Sequence, residues 1–237
     1  IRIPGLPQVK GRLYPAELTA QRGYYTTPME LLPETDARAI ERAAVVLRAG
    51  GVILYPTDTL YGFGADALSG EAVAKIYAIK GRDESKPLHA LVSDIEMAAQ
   101  YGEISERVRC VIERLPAGKA TFIVKKKPEF TTGIFRRLDT FGFRIPDHPF
   151  CLAILHAFGG PITATSANKA GEEAQRSLGE ILRQIGQSAG EIALAIDASA
   201  VSGRAASTVV DLSNGEPRIL REGAVPEEDV HNAWRAY

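Results

Sequence analysis

The sequence predicts an α/β fold built on a mixed sheet. Three observations carry this. Short β-branched apolar runs alternate with segments of helical period through the early chain. Two of those runs, 52–55 and 162–165, empty directly into small polar residues, Thr57-Asp58-Thr59 and Ser166-Ala167-Asn168. Late in the chain, Asn214-Gly215 stands between two apolar runs as a hairpin signal. Strands alternating with helices early and a hairpin late describe one α/β unit with a mixed sheet.

The elements follow in order. Residues 1–34 are broken by Pro4, Pro7, Pro15, Pro28 and Pro33 and hold no period, so they read as an extension lying on the domain. Arg2, Lys10, Arg12 and Arg22 make it mildly basic, and an RNA-contacting arm is the sharper alternative. Thr35 and Asp36 are N-cap candidates for a helix to Ala49, which Gly50-Gly51 ends. Val52 to Tyr55 is a strand halted by Pro56. A helix runs from Gly70 to Lys80, stopped by Gly81, and Leu88 to Val92 is the next strand. Ser93 with Glu96 reads as a capping box for a short helix to Ala99. Ser105 to Leu115 is helical by spacing, with Cys110 in its packing. Ala120 to Val124 is a strand, Thr131 to Asp139 a mobile loop, and Phe141 to Ile145 a strand that delivers Arg144. Pro149 to Gly159 is a helix with Pro in its first turn. Ile162 to Thr165 is a strand, Leu178 to Ile185 a helix, and Ile192 to Ile196 a strand. Ser207 to Leu212 pairs with Pro217 to Arg221, and Glu227 to Tyr237 closes the chain as a helix that packs through Trp234.

Composition narrows the function classes. Lys and Arg total 28 against 29 acidic residues among 237, a net charge of -1, so no global basic field advertises nucleic acid. The content of 45% hydrophobic and 24% charged residues is that of a globular protein, and no apolar run reaches the roughly 20 residues that span a bilayer. The two cysteines, Cys110 and Cys151, make neither a disulfide framework nor a metal cluster. A cytoplasmic protein without a membrane partner is expected.

The chemistry-bearing residues sit at strand ends, where ligands bind in open α/β sheets. Thr57, Asp58 and Thr59 form either such a site or a turn closed by its own side chains. Lys80, Arg82 and Lys86 form either an oligophosphate clamp or a solvated helix end favoured by the macrodipole. Ser166 and Asn168 let a phosphate approach the backbone closely or close an Asx turn. His89, flanked by Leu88, Ala90 and Leu91, reads on its own as a core histidine.

Taken together, PTDTLYGFGADA, KIYAIKGR, KPLHALV, RIPDHP at 144–149, TSAN at 165–168, ASTVVD at 206–211 and ILREGA at 219–224 resemble the YrdC family. The resemblance spans about Asp36 to Val225. It implies a YrdC-like twisted mixed sheet with flanking helices around a concave, positively lined cavity. It also implies a catalytic domain over 35–237, with 1–34 as an N-terminal extension and without the additional C-terminal domain of some relatives.

The family's enzymes are threonylcarbamoyl-AMP synthases, nucleotidyltransferases. The implied substrates are L-threonine, bicarbonate or CO2, and ATP with Mg2+, and the product feeds the tRNA-modifying threonylcarbamoyl-transfer proteins. The resemblance carries Lys80, Arg82, Ser166 and Asn168 over as the catalytic, phosphate-holding set. Thr140 and Arg221 join the ATP site, and Thr57, His89, Arg144 and Ser207 surround threonine. No residue is assigned as proton acceptor and none as metal ligand. Asp83 stands where the family commonly has proline, and Lys169-Ala170 follows Asn168 where serine is common. Two alternatives are an RNA-binding or ribosome-maturation protein using the same concave surface, and a carbamoyl-adenylate-handling carbamoyltransferase relative.

Overall fold

The structure, a computed structural model, describes residues 29–198 and 205–237. The basic arm read into the N-terminal segment lies, up to residue 28, outside the described residues. Ten strands and seven α-helices are described: β1 (Glu30–Pro33), α1 (Ala39–Arg48), β2 (Val52–Pro56), β3 (Tyr61–Gly64), α2 (Gly70–Lys80), β4 (His89–Leu91), α3 (Ile95–Tyr101), α4 (Glu106–Arg114), β5 (Ala120–Lys125), β6 (Thr140–Arg144), α5 (Pro149–Phe158), β7 (Ile162–Ala164), α6 (Leu178–Ile185), β8 (Ile192–Asp197), β9 (Thr208–Asp211), β10 (Arg218–Arg221) and α7 (Glu227–Arg235).

The strands form two mixed sheets, ordered β1-β8-β2-β3 and β10-β9-β5-β6-β4-β7. The sheets meet at a seam. Bridges Gly62 to Ser166 and Asp66 to Ile162 tie the β3 edge to the β7 edge. Thr163 completes the seam, its Oγ1 accepting from the Ala65 amide at 3.0 Å and donating to the Phe63 carbonyl at 3.1 Å. The expected α/β architecture with a twisted mixed sheet is therefore present as two sheets joined at one corner. The predicted late hairpin is β9 antiparallel to β10.

β2 is buried along its whole length because it has core on both faces. Val52 and Leu54 point into the main hydrophobic cluster. Ile53 and Tyr55 point the other way, into a second cluster with Leu47 of α1 and Cys151, Ile154 and Leu155 of α5. The β-branched, non-alternating run in the sequence reflects that two-sided burial. β6 alternates instead. Phe141 and Phe143 enter the main cluster, where Phe143 stacks on Phe141 at 5.2 Å between centroids and meets Phe122 at 5.8 Å. Thr140, Gly142 and Arg144 fall on the opposite face.

Helix ends follow local chemistry. Ser69 caps α2 by accepting from the Ala72 amide, and Gly81 ends it in the left-handed region at φ 56°. Four expectations need correction. Residues 30–33, read as part of the extension, form β1 and pair in parallel with β8. The N-cap of α1 is Arg38, not Thr35 or Asp36; Asp36 instead accepts from the Arg38 amide at 2.9 Å and its guanidinium at 2.8 and 3.0 Å. The cap of α3 is Asp94, one residue beyond Ser93, whose hydroxyl donates to the Asp94 carboxylate at 2.8 Å. The loop 131–139 is pinned: Ile134 and Phe135 are buried in a 3-10 turn, and the Ile134 amide donates to Ala67 O at 2.9 Å.

Truncating the aromatic stack tests the fold directly. Phe143→Ala, at a fully buried side chain, is expected to destabilise by about 3–5 kcal/mol. Urea unfolding followed by far-UV circular dichroism reads this as a fall in midpoint with little change in slope.

Candidate active site

The face of the second sheet opposite the Phe141–Phe143 core forms one wall of a cavity of about 320 Å3. His89 of β4, Thr121 of β5, Arg144 of β6 and Ala164 of β7 line it from that sheet, and Tyr55, Tyr61 and Gly62 from β2 and β3. Thr57, Thr59 and Leu60 close one end; Arg82, Pro87, Thr165, Ser166, Ala206, Ser207 and Arg221 surround the rest. The cavity thus sits at the seam where the two sheets are bridged.

Arg144 is held at depth. Its Nη1 donates to both oxygens of Asp58 at 3.0 Å and to the Gly118 carbonyl at 3.1 Å. Both side chains are nearly shut off from water, at 10% and 5% exposure, so the pair is a buried ion pair. His89 lies flat against the backbone of Gly142, where any Cβ would sit 2.4 Å from the ring. Burial, helped by the cations Arg221 and Arg82, lowers the His89 pKa from 6.5 to about 4, so the ring is neutral at pH 7. It is a hydrogen-bonding surface with no resident positive charge.

Thr57 is both turn and lining. Its hydroxyl donates to Leu60 O at 2.7 Å and accepts from the Thr59 and Leu60 amides at 3.2 and 3.3 Å, closing the turn that borders the cavity. Ser207 and Thr121 share a hydroxyl–hydroxyl hydrogen bond of 2.8 Å in the cavity wall. Arg221 donates to Ser207 O at 2.7 Å and to its hydroxyl at 3.3 Å. Arg82 donates to Pro87 O at 3.1 Å across its own loop.

Lys80 stands apart from the other cations. It does not line the cavity. Its ammonium is held by hydrogen bonds: Nζ donates to Ser166 O, to Asn168 O at 2.8 Å and to Asn168 Oδ1 at 3.2 Å. Those three acceptors match its three hydrogens. Burial, with Arg82 nearby, lowers its pKa to about 8. Asn168 likewise faces inward to its own loop, donating to Lys169 O at 2.9 Å and Glu172 O at 2.7 Å while accepting from the Ser166 hydroxyl.

Of the residues named from the sequence, the cavity therefore brings together Thr57, Arg82, His89, Arg144, Ser166, Ser207 and Arg221. Lys80 and Asn168 lie behind the lining, as the support of the 165–168 loop. Thr140 also falls outside the lining, further out along β6 on the Arg144 face. Thr59, read with Thr57 as a strand-end site or turn, also lines the cavity; sequence reasoning missed Tyr55 and Thr121 as lining and Asp58 as the partner of Arg144. Thr121 was detectable as the polar member between buried Ala120 and Phe122.

Residues 45–223 match the Sua5/YciO/YrdC family model, described as "Telomere recombination". A threonylcarbamoyl-AMP synthase of Bacillus subtilis is 32% identical over 83% of this chain and 56% of its own length. The chain thus spans little more than half of that relative. A mouse threonylcarbamoyl-AMP synthase is 36% identical over 84% of this chain and 72% of its own. Among solved structures, Pyrococcus abyssi Sua5 complexed with L-threonine superposes with a TM-score of 0.77 at 30% identity, covering 87% of this chain and 61% of that one. Escherichia coli YciO superposes with a TM-score of 0.74 at 26% identity, covering 86% of this chain and 100% of that one.

The buried histidine supplies a pH test. An unfolded chain takes up the His89 proton below about 6.5 and the folded chain only below about 4, so this contribution to stability is full above 6.5 and is lost as pH falls toward 4. His89→Gln is expected to flatten the fall in unfolding free energy over that window by up to ~3 kcal/mol. Denaturant titrations at a series of pH values measure it; an unchanged acid slope assigns the titration to another group.

Proposed function

The chain belongs to the Sua5/YciO/YrdC family, and we propose that its cavity makes threonylcarbamoyl-AMP and pyrophosphate from L-threonine, bicarbonate or CO2, and ATP. The observation that supports this best is the convergence of two residue sets on one cavity. Arg82, Arg221 and Ser166 suit an oligophosphate, and Arg144, His89, Thr57 and Ser207 suit a small amino acid. The Arg221–Ser207 hydrogen bond puts the two sets in direct contact.

The reaction has two bond-forming steps. The threonine amine adds to CO2, or to bicarbonate with loss of water, giving a carbamate. A carbamate oxygen then attacks the α-phosphorus of ATP, and the bond to the pyrophosphate oxygen breaks. Catalysis of such a displacement is mainly positioning and charge stabilisation. Arg82 and Arg221 provide guanidinium forks for phosphate oxygens, and Arg144 provides one for the threonine carboxylate. The neutral His89 ring and the hydroxyls of Thr57 and Ser207 fix the remaining polar groups. Lys80 and Asn168 act from behind by holding the Ser166 loop in place.

Among the described residues no group of three His, Cys, Asp or Glu side chains is placed to hold a cation. We take Mg2+ as arriving with the ATP substrate, with phosphate oxygens and water as ligands. We place the catalytic domain from Glu30 onward, since β1 is an integral strand. The labile product passes to tRNA-modifying threonylcarbamoyl-transfer proteins. Among the described residues no helix is long and apolar enough to cross a membrane.

Pyrophosphate release from Mg-ATP, measured with and without L-threonine and bicarbonate and with the nucleotide product identified by mass, tests the reading. Release that requires both co-substrates and yields threonylcarbamoyl-AMP is the expected result. Threonine-independent behaviour with salt-sensitive RNA affinity would instead favour an RNA-binding protein.

Two variants separate the roles of the cations. Arg82→Ala should raise the KM for ATP by roughly ten- to hundredfold, the worth of a charge-assisted contact, with little change in thermal midpoint. Lys80→Ala should lower kcat and also the thermal midpoint, because it leaves the oxygens of the 165–168 loop without their buried donor.

A further inference from the structure

We propose that Asp58 is a positioning residue that sets which edge of the Arg144 guanidinium meets the substrate carboxylate. The inference rests on the reading of Arg144 as the carboxylate partner of threonine.

The geometry is specific. Among the described residues, every hydrogen bond of the Arg144 side chain runs through Nη1, which faces both Asp58 oxygens at 3.0 Å and Gly118 O at 3.1 Å. Nη1 carries only two hydrogens, so these acceptors saturate it. The remaining donors, Nη2–H and Nε–H, are the edge left to a ligand that enters the cavity Arg144 lines. Two parallel N–H donors on one edge are the arrangement that receives a carboxylate in a bidentate pair.

Asp58 itself is not part of the lining, so it acts through Arg144. It holds the guanidinium plane against rotation and compensates its buried charge. Gly118 completes the interlock. It has φ +74°, and a Cβ there would lie 2.4 Å from Asp58 Oδ2 and 2.9 Å from the Asp147 Cβ. The carboxylate and the Gly118 carbonyl can approach Nη1 together only because residue 118 has no side chain. The pairing follows from the Pro56-Thr57-Asp58 turn: the same turn that presents the Thr57 hydroxyl at the rim directs the next side chain down to β6.

The test compares L-threonine with L-threoninamide, which lacks only the carboxylate charge, by titration calorimetry on wild type, Asp58→Asn and Gly118→Ala. Wild type is expected to bind threonine roughly ten- to hundredfold tighter than the amide. In both variants that ratio should fall toward one. In turnover, Asp58→Asn should raise the KM for threonine while leaving the KM for ATP within about twofold, a split that general destabilisation does not produce. The ratio of two ligands on one preparation does not depend on the fraction folded, and Gly118→Ala perturbs the same contact without removing a charge. Wild-type discrimination that survives in both variants overturns the inference alone. A wild type that binds neither ligand and shows no threonine-dependent pyrophosphate release overturns the functional reading, and this inference with it.

Discussion

The Lys80 ammonium is the constraint on which the site depends. It is a cation at the end of α2 with 3% of its surface exposed, and among the described residues no carboxylate pairs with it. Its compensation comes from Ser166 O and the two Asn168 oxygens, with the Phe63 ring 5.7 Å away on the β3 side. A buried charge stripped of its acceptors is costly. The 165–168 loop therefore cannot leave the end of α2 without exposing that cost. Because Ser166 also bridges to Gly62 of β3, the same contact holds the corner where the two sheets meet and the cavity opens.

The other cations are held by a related device. Arg82 rests on the Pro87 carbonyl, Arg221 on Ser207, and Arg144 on Gly118 O and the Asp58 carboxylate. Each guanidinium is oriented by backbone dipoles, so several positive charges share a small cavity without collapsing onto acidic side chains. Among the described residues, only the deepest of them has a carboxylate counterion. Arg82 and Arg221 rest on carbonyls, weaker partners than a carboxylate, whereas Arg144 is paired with a buried one. Under the proposed function, that gradient in partner strength suits a site that holds one small substrate at depth and a more highly charged one nearer the rim.

Much of this fold was legible in the sequence where a local signal and the tertiary demand coincide. α2 runs from Gly70 to Lys80 and ends at Gly81 as its spacing and stop residue indicated. β2 was readable because two-sided burial leaves an unbroken apolar run. β3 was not, because Tyr61-Gly62-Phe63-Gly64 is half glycine and is held extended by pairing with β2 and by Thr163, contacts remote in sequence. β1 was hidden for a similar reason: its short run before Pro33 is a strand through its parallel pairing with β8. The loop 131–139 looked mobile from its Gly and Arg content, yet Ile134 and Phe135 anchor it in the core.

The site was legible in a different way. Motif resemblance identified residues without their depth, so Lys80 and Arg82, two positions apart, read as one clamp. The helix separates them physically: Lys80 is the last residue of α2 and turns inward, while Arg82 follows the left-handed Gly81 and emerges at the cavity. One φ reversal converts adjacent cations into a buried support and a lining donor. The same logic hid Asp58, whose local signal was that of a turn residue. Its charge matters only because β6 brings Arg144 beneath that turn, an encounter between positions far apart in the chain that no local pattern encodes.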